Sequence, residues 1–231
     1  MKKIIVICTF LILQTALHAQ QHWISAAGGL NLSRVNGQGR PADITYVHGL
    51  HAGAQIERRY ESMLNLTGGL FYNRRGYFER YVFTDEYGGV IADTDVALRI
   101  DYITADLKVG FRTKQKLAGF VNLGLSPGYR IQASYYAPEI LDSTQMSGWV
   151  IDDVTSRIRP FDLMLLAEGG LGYSTDKVGF FASCNFSRGI LPVFTMENSN
   201  TDKIYNNSIC FSAGISMRLP NGIENSPKGS K

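Results

Sequence analysis

The chain has 231 residues, 23 Lys+Arg against 20 Asp+Glu for a formal net charge of +3, and 3 cysteines. No concentrated basic stripe accompanies that small excess, so the footprint of a nucleic-acid-binding domain is excluded and no nucleic-acid partner is expected. Nor do three cysteines make a disulfide framework: Cys184 and Cys210 fall on opposite faces of two different expected strands.

Residues 1–19 read as an export signal. Lys2 and Lys3 supply the positive start, Ile4 to Leu13 the apolar stretch, and Ala16-Leu17-His18-Ala19 a small-residue cleavage site. Removing them takes away two lysines and no acid. A run of about 10 apolar residues is too short for a membrane-spanning helix, which needs roughly 20, so membrane residence must come from strands. Residues 20–219 are expected to form one β domain, followed by a polar tail over 220–231.

Eight stretches in that domain alternate apolar residues with small or polar ones, the period-2 pattern of a strand that separates two environments. The first, Trp23 to Arg34, puts Ile24, Ala26, Gly28, Leu30 and Leu32 on one face. The second, Tyr46 to Glu57, does the same with Tyr46, His48, Leu50, Ala52, Ala54 and Ile56. The third begins at Leu64, carrying Leu66, Gly68, Leu70 and Tyr72. The fourth ends near Arg112, with Ile103, Ala105, Leu107, Val109 and Phe111 opposed to Tyr102, Thr104, Asp106, Lys108 and Gly110. The fifth starts at Leu117, where Pro127-Gly128 predicts a bulge. The sixth, Phe161 to Ser174, has the clearest alternation. Val178 to Phe186 and Ser208 to Met217 supply the last two.

Short connections (Arg58 to Met63, Thr113 to Lys116, Ser174 to Lys177) rotate strictly with long ones (Val35 to Thr45, Arg75 to Ala97, Tyr136 to Pro160, Gly189 to Asn206). That rotation predicts an eight-stranded antiparallel up-and-down transmembrane β-barrel in the outer membrane of a Gram-negative bacterium, with both termini periplasmic and the long loops extracellular. A soluble lipocalin-like barrel is the alternative. Its outer face would be the polar set, yet that set is Gly, Ser, Asn and Thr rather than the Lys and Glu of a solvated surface. Small inward residues also suit eight strands, whose interior side chains just fill.

Several segments resemble the PorT-like outer-membrane β-barrel family of Bacteroidetes: Gly28-Gly29-Leu30-Asn31-Leu32-Ser33, Asp101 to Gly110, Phe161 to Ser174 with its Gly-Gly-x-Gly-Tyr end, and Asn207 to Leu219. The chain departs from the family where the usual Glu-Ile-Pro of the fourth strand is Thr104-Ala105-Asp106, and where a polar tail follows Leu219. The resemblance implies the barrel and its outer-membrane location. Because the family's namesake is associated with gliding and type IX secretion, it also implies an accessory role in secretion as one functional alternative.

Parity turns Glu57, Asp106, Lys108, Arg112, Arg130 and Glu168 toward the lumen, where charges must pair because an isolated buried ion is costly. A salt-bridged plug is the expectation, and a proton or solute path the alternative. Some eight-stranded barrels deacylate lipid A with His and Ser on the lipid face. His48 sits at a suitable height here, but its expected outward neighbours, Leu30, Leu32, Tyr72 and Arg74, include no serine or carboxylate. No cofactor is expected, and no group with metal-ligand spacing accompanies His51. The chain therefore reads as non-enzymatic. Trp23, Tyr46, Tyr72, Phe111, Tyr173 and Phe186 are expected in interfacial girdles against outer-membrane lipid.

Alternation continues past Arg74 through Tyr77, Glu79, Tyr81 and Phe83 to Asp85-Glu86-Tyr87-Gly88-Gly89. Each arm is thus longer than the roughly 9 to 11 residues that cross a bilayer. Projecting hairpins with Tyr77, Tyr81, Phe83, Tyr87 and Trp149 are the candidate recognition surface for a protein partner.

Overall fold

A computed structural model describes residues 21–37, 44–84, 87–141, 145–194 and 203–220. The expected export signal, nearly all of the polar tail and parts of all four long connections lie outside them. Ten strands are present among the described residues: β1 (Gln21–Gly37), β2 (Ile44–Thr45), β3 (Val47–Arg59), β4 (Leu64–Thr84), β5 (Val90–Arg112), β6 (Leu117–Leu141), β7 (Gln145–Asp153), β8 (Phe161–Ser174), β9 (Val178–Pro192) and β10 (Ile204–Arg218). Eight of these close a ring in the order β3-β1-β10-β9-β8-β6-β5-β4, with β4 paired to β5 and back to β3. Every pairing is antiparallel, and β1 meets β10 without a break from Trp23 opposite Arg218 to Gly37 opposite Ile204.

The strands are tilted, as closure of a sheet demands. From Ile24, paired residues lead through Ile56, Gly68, Leu107, Leu125, Leu165, Arg188 and Asn207, and arrive back on β1 at Arg34 rather than at Ile24. β2 and β7 stand outside the ring. β2 pairs with β4 at Glu79 and Phe78, and β7 pairs with β6 from Ser134 to Leu141. With β4, β5 and β6 they form a sheet that rises beyond the barrel at the end carrying the long loops.

Residue parity sorts the wall into two surfaces. Leu30, Leu50, Leu70, Leu107, Leu123, Leu165, Leu171 and Phe211 are exposed on the outside. At the loop end this apolar belt is bounded by Tyr46, Tyr72, Tyr129 and Phe161 together with Arg34, Arg74, Asp101 and Arg188; at the turn end, by Phe111, Tyr173, Phe180 and Met217. Between the two borders no outward-facing residue among those described is charged. The inside is built from Ser, Asn, Gly and paired charges, and glycines make room there for the larger rings. A Cβ on Gly214, for example, would lie 2.5 Å from the Phe181 ring.

Two local expectations need correction. The register of β5 and β6 passes Pro127 unchanged, since Thr104 opposite Gly128 and Leu107 opposite Leu125 share one alignment; the shift occurs between Asp101 and Tyr102, where Ile131 is the extra residue. Pro127 is accommodated because its outward position, paired with Leu163 of β8, leaves the β5 ladder open only at Ala105 and Asp106. Trp23 does not belong to a girdle. It is buried inside the turn end with Arg59 over its ring, because odd residues of β1 face inward. In the projecting sheet Pro138 lies opposite Trp149 within the β6–β7 pairing.

Candidate functional site

From the turn end upward, the lumen holds one polar lattice. Glu57 accepts a hydrogen bond from Arg59 at 2.7 Å and lies 3.8 Å from Arg112. Asn65 donates to Glu57 at 3.4 Å and to Asn122 at 2.9 Å; Asn122 donates to Glu168 at 2.8 Å. Lys108 sits 2.9 Å from Glu168 and donates to Gln55 at 3.2 Å. Asp106 accepts from Ser126 at 2.6 Å. His51 Nδ1 and Asn73 Oδ1 are 2.6 Å apart, with the imidazole stacked on Phe71. Residues one strand apart meet here because each inward position alternates with an outward one, so neighbouring strands present their polar atoms at matching heights.

Five of the six charges expected in the lumen, Glu57, Asp106, Lys108, Arg112 and Glu168, thus lie within this lattice, whereas Arg130 does not join it. The Arg130 guanidinium donates instead to the Ile158 carbonyl at the loop end. Sequence reasoning missed a further buried pair, Arg75 with Asp162 at 3.1 Å, to which Asn206 adds a bond at 3.0 Å. The alternation of Phe161 to Ser174 puts Asp162 on the inward face of its strand, whereas Arg75 falls at the start of an expected long connection. Two cavities within the lumen, one beside His51 and Asp106 and one beside Glu57 and Glu168, are each about 10 Å³, room for about one water.

Above Arg75 the interior turns apolar. Val35, Tyr77, Leu98, Ile100, Tyr102, Ala133, Ile158, Val193 and Ile204 pack as a cluster across the mouth. Ile158 arrives on the segment that follows a short 3-10 turn (Thr155–Arg157), which Asp153 fixes by accepting the Thr155 N–H at 2.8 Å. Tyr77 is therefore not a recognition residue. It is 7% exposed, because the inward face of the β4–β5 hairpin is covered by this segment rather than left in water.

The other candidates lie outside that cover. Tyr81 is partly exposed and stacks obliquely on the half-buried Phe83, with ring centroids 6.0 Å apart; Tyr87 is 89% and Trp149 53% exposed. Ile151, Val82 and Val90 are exposed as well, Val82 on the face of the sheet opposite to its chain neighbours Tyr81 and Phe83. Beside the apolar plug, Tyr77, Leu98, Tyr135, Val154 and Phe194 line a cavity of about 560 Å³ with Asp152, Asp153 and Arg157 at its rim. Burial raises the carboxyl pKa of Glu79 against a hydrogen bond with Tyr81 that lowers it, and burial next to Glu79 pushes the Tyr81 phenol up to about 12.

The closed ring, the apolar belt and the polar interior coincide with a family model, described as outer membrane protein beta-barrel domain, that matches residues 18–195. The chain belongs to the outer membrane protein beta-barrel domain family. It is an integral β-barrel of the Gram-negative outer membrane, so the apolar belt is its lipid face. Solved structures similar to the barrel include the following. Neisserial surface protein A (NspA) shares 14% identity at a TM-score of 0.48, over 87% of this chain and 100% of that one. OprG from Pseudomonas aeruginosa shares 9% at 0.48, over 87% and 97%. Ail, the attachment invasion locus protein of Yersinia pestis, shares 15% at 0.42, over 85% and 99%. No curated protein sequence matches the chain.

Proposed function

We propose that this barrel is a non-catalytic surface-interaction protein whose projecting sheet, β2-β4-β5-β6-β7, captures a protein partner outside the cell. The observation that carries this reading is the division of the molecule: the lumen is filled by the charged lattice and the apolar plug, whereas exposed apolar side chains continue past the lipid border. A general porin needs an aqueous channel, which belongs to barrels of roughly 16 strands. Tyr81, Val82, Tyr87, Val90, Trp149 and Ile151 have no lipid to face, and exposed apolar patches on a protruding sheet suit protein binding. β7 is paired on one side only among the described residues, so its other edge offers backbone groups for strand addition.

In this reading the turns face the periplasm, as do the ends of the first and last strands. A catalytic role gains no support at the lipid face, where His48 is ringed by Tyr46, Leu32 and Leu50. The test replaces residues 81–94 with a two-residue turn, which the Arg80–Asp95 pairing can close. That cut leaves Tyr77 and Glu79 in place. The shortened barrel should keep its heat-modifiable migration but lose adhesion or partner pull-down. Unchanged surface binding would overturn the reading. Loss of secreted cargo and of surface spreading in a deletion strain, with adhesion intact, would favour the secretion role that the PorT-like segments imply.

A further inference from the structure

We infer that the lumen binds one small monovalent cation, of the size of sodium, between Asp106 of β5, Asn31 of β1 and Asn185 of β9. Asp106 is the exception to the pairing of the lumenal charges. Lys108 is matched by Glu168 and Arg75 by Asp162, while Glu57 is shared by Arg59 and Arg112. No lysine or arginine among the described residues lies within ion-pair distance of Asp106, which is 4% exposed and accepts a hydrogen bond from the Ser126 hydroxyl at 2.6 Å. A carboxylate so placed stays costly until a positive charge joins it. The inference rests on the interior of the barrel and is independent of the protein-capture reading.

Asn31 and Asn185 line the same cavity of about 10 Å³ as Asp106. Asn31 is 1% exposed, and its amide is oriented by donation from Nδ2 to the Arg74 carbonyl at 2.9 Å. Its oxygen therefore points away from that bond and has no hydrogen-bond partner, nor has the Asn185 side-chain oxygen. Two such amide oxygens and a carboxylate are acceptors, which a single cation satisfies together. Ser126, having donated its hydrogen to Asp106, presents lone pairs on the same wall, as do Ser187 and Ser208, whose hydroxyls are 2.6 Å apart. Arg75 borders the cavity too, but its charge is engaged by Asp162 at 3.1 Å.

The donor set also fixes the class of ion. One carboxylate among neutral oxygens balances one positive charge, and no group of three His, Cys, Asp or Glu among the described residues could hold a transition metal. Space for about one water excludes a bulky organic cation. Bound there, the ion joins three strands of which no two are neighbours in the ring, as Lys108 and Glu168 join β5 to β8.

The test uses the full-length folded protein in non-ionic detergent, with thermal unfolding followed by circular dichroism. Sodium chloride is titrated against N-methylglucamine chloride at constant ionic strength, so that screening is fixed while the small cation changes. The unfolding midpoint should rise by several degrees with sodium, as mass action requires of a ligand that binds the folded state. Asp106→Asn, which keeps the shape of the side chain, should abolish the rise. Asn185→Ala, at a half-buried position, should need several-fold more sodium for the same midpoint, and it decides the matter if Asp106→Asn does not fold. Equal midpoints in the two salts would overturn the proposal. A sodium effect unchanged in either variant would show a general salt effect and would overturn it too. So would a midpoint that ignores sodium but rises as pH falls, since a proton on Asp106 would then do the work assigned to the ion.

Discussion

Lys108 Nζ lies 2.9 Å from the Glu168 carboxylate in the middle of the barrel, where both side chains are less than a tenth exposed. The pair joins β5 to β8 across the lumen rather than along the wall. Buried ions of this kind strongly penalise the loss of one partner, because the survivor keeps its desolvation cost without its compensation.

Lys108→Met or Glu168→Leu alone should each destabilise the barrel by about 3–5 kcal/mol, while the double variant should recover most of the loss. Urea unfolding in lipid vesicles, read as a double-mutant cycle, measures this. Additive single effects would show that the two groups do not depend on each other.

An arginine at Leu165, outward near the centre of the lipid face, should cost about 2–4 kcal/mol of folding free energy in vesicles. The same change at Trp149, equally outward but above the border, should cost less than about 1 kcal/mol. The contrast locates the end of the membrane, and equal penalties would place Trp149 in lipid.

Gly76 has φ +142, and a Cβ there would lie 1.8 Å from the Leu98 carbonyl oxygen, on a strand also held by Ser33 donating to the Gly76 carbonyl at 3.1 Å. Gly76→Ala should therefore destabilise by about 1–3 kcal/mol. At Gly169, where an added Cβ meets nothing within 4 Å, alanine should be tolerated. Thermal shifts of gel mobility compare the two.

Glu79 supplies a pH dependence outside the membrane. Its carboxyl is raised in the folded protein by burial, so folding takes up a proton between the ordinary and the raised value. Stability from this group is full below the ordinary carboxylate pKa and is lost as pH rises through the folded value. The projecting sheet should resist protease better at mildly acidic pH than at neutral pH, and Glu79→Gln should flatten that profile by keeping the neutral form throughout. A profile unchanged by the substitution would assign the dependence to other groups.

The barrel wall was legible because a two-residue period is a local property: Phe161 to Ser174 alternates in sequence and is the whole of β8. The lumenal carboxylates followed from the same parity. Arg75 and Tyr77 did not, since the sequence shows alternation continuing past the bilayer but not what will fold back over it. Ile158 and Val193 cover Tyr77 from segments far along the chain, and nothing near Tyr77 announces them. The bulge was misplaced for a related reason: proline marks where a ladder bond is missing, whereas Ile131 carries no such chemical mark.

The seam between β1 and β10 ties the order of synthesis to the hazard of the unfinished chain. β1 leaves the ribosome first, yet one of its two edges finds no partner until the last strand follows. Seven strands are therefore made with an open border at each end, and each border can pair with another chain as readily as with its own. Closure is the step that removes both borders at once, so no shorter version of this wall can be a resting state. A partly made copy is kept out of aggregates only by whatever holds it before the membrane does.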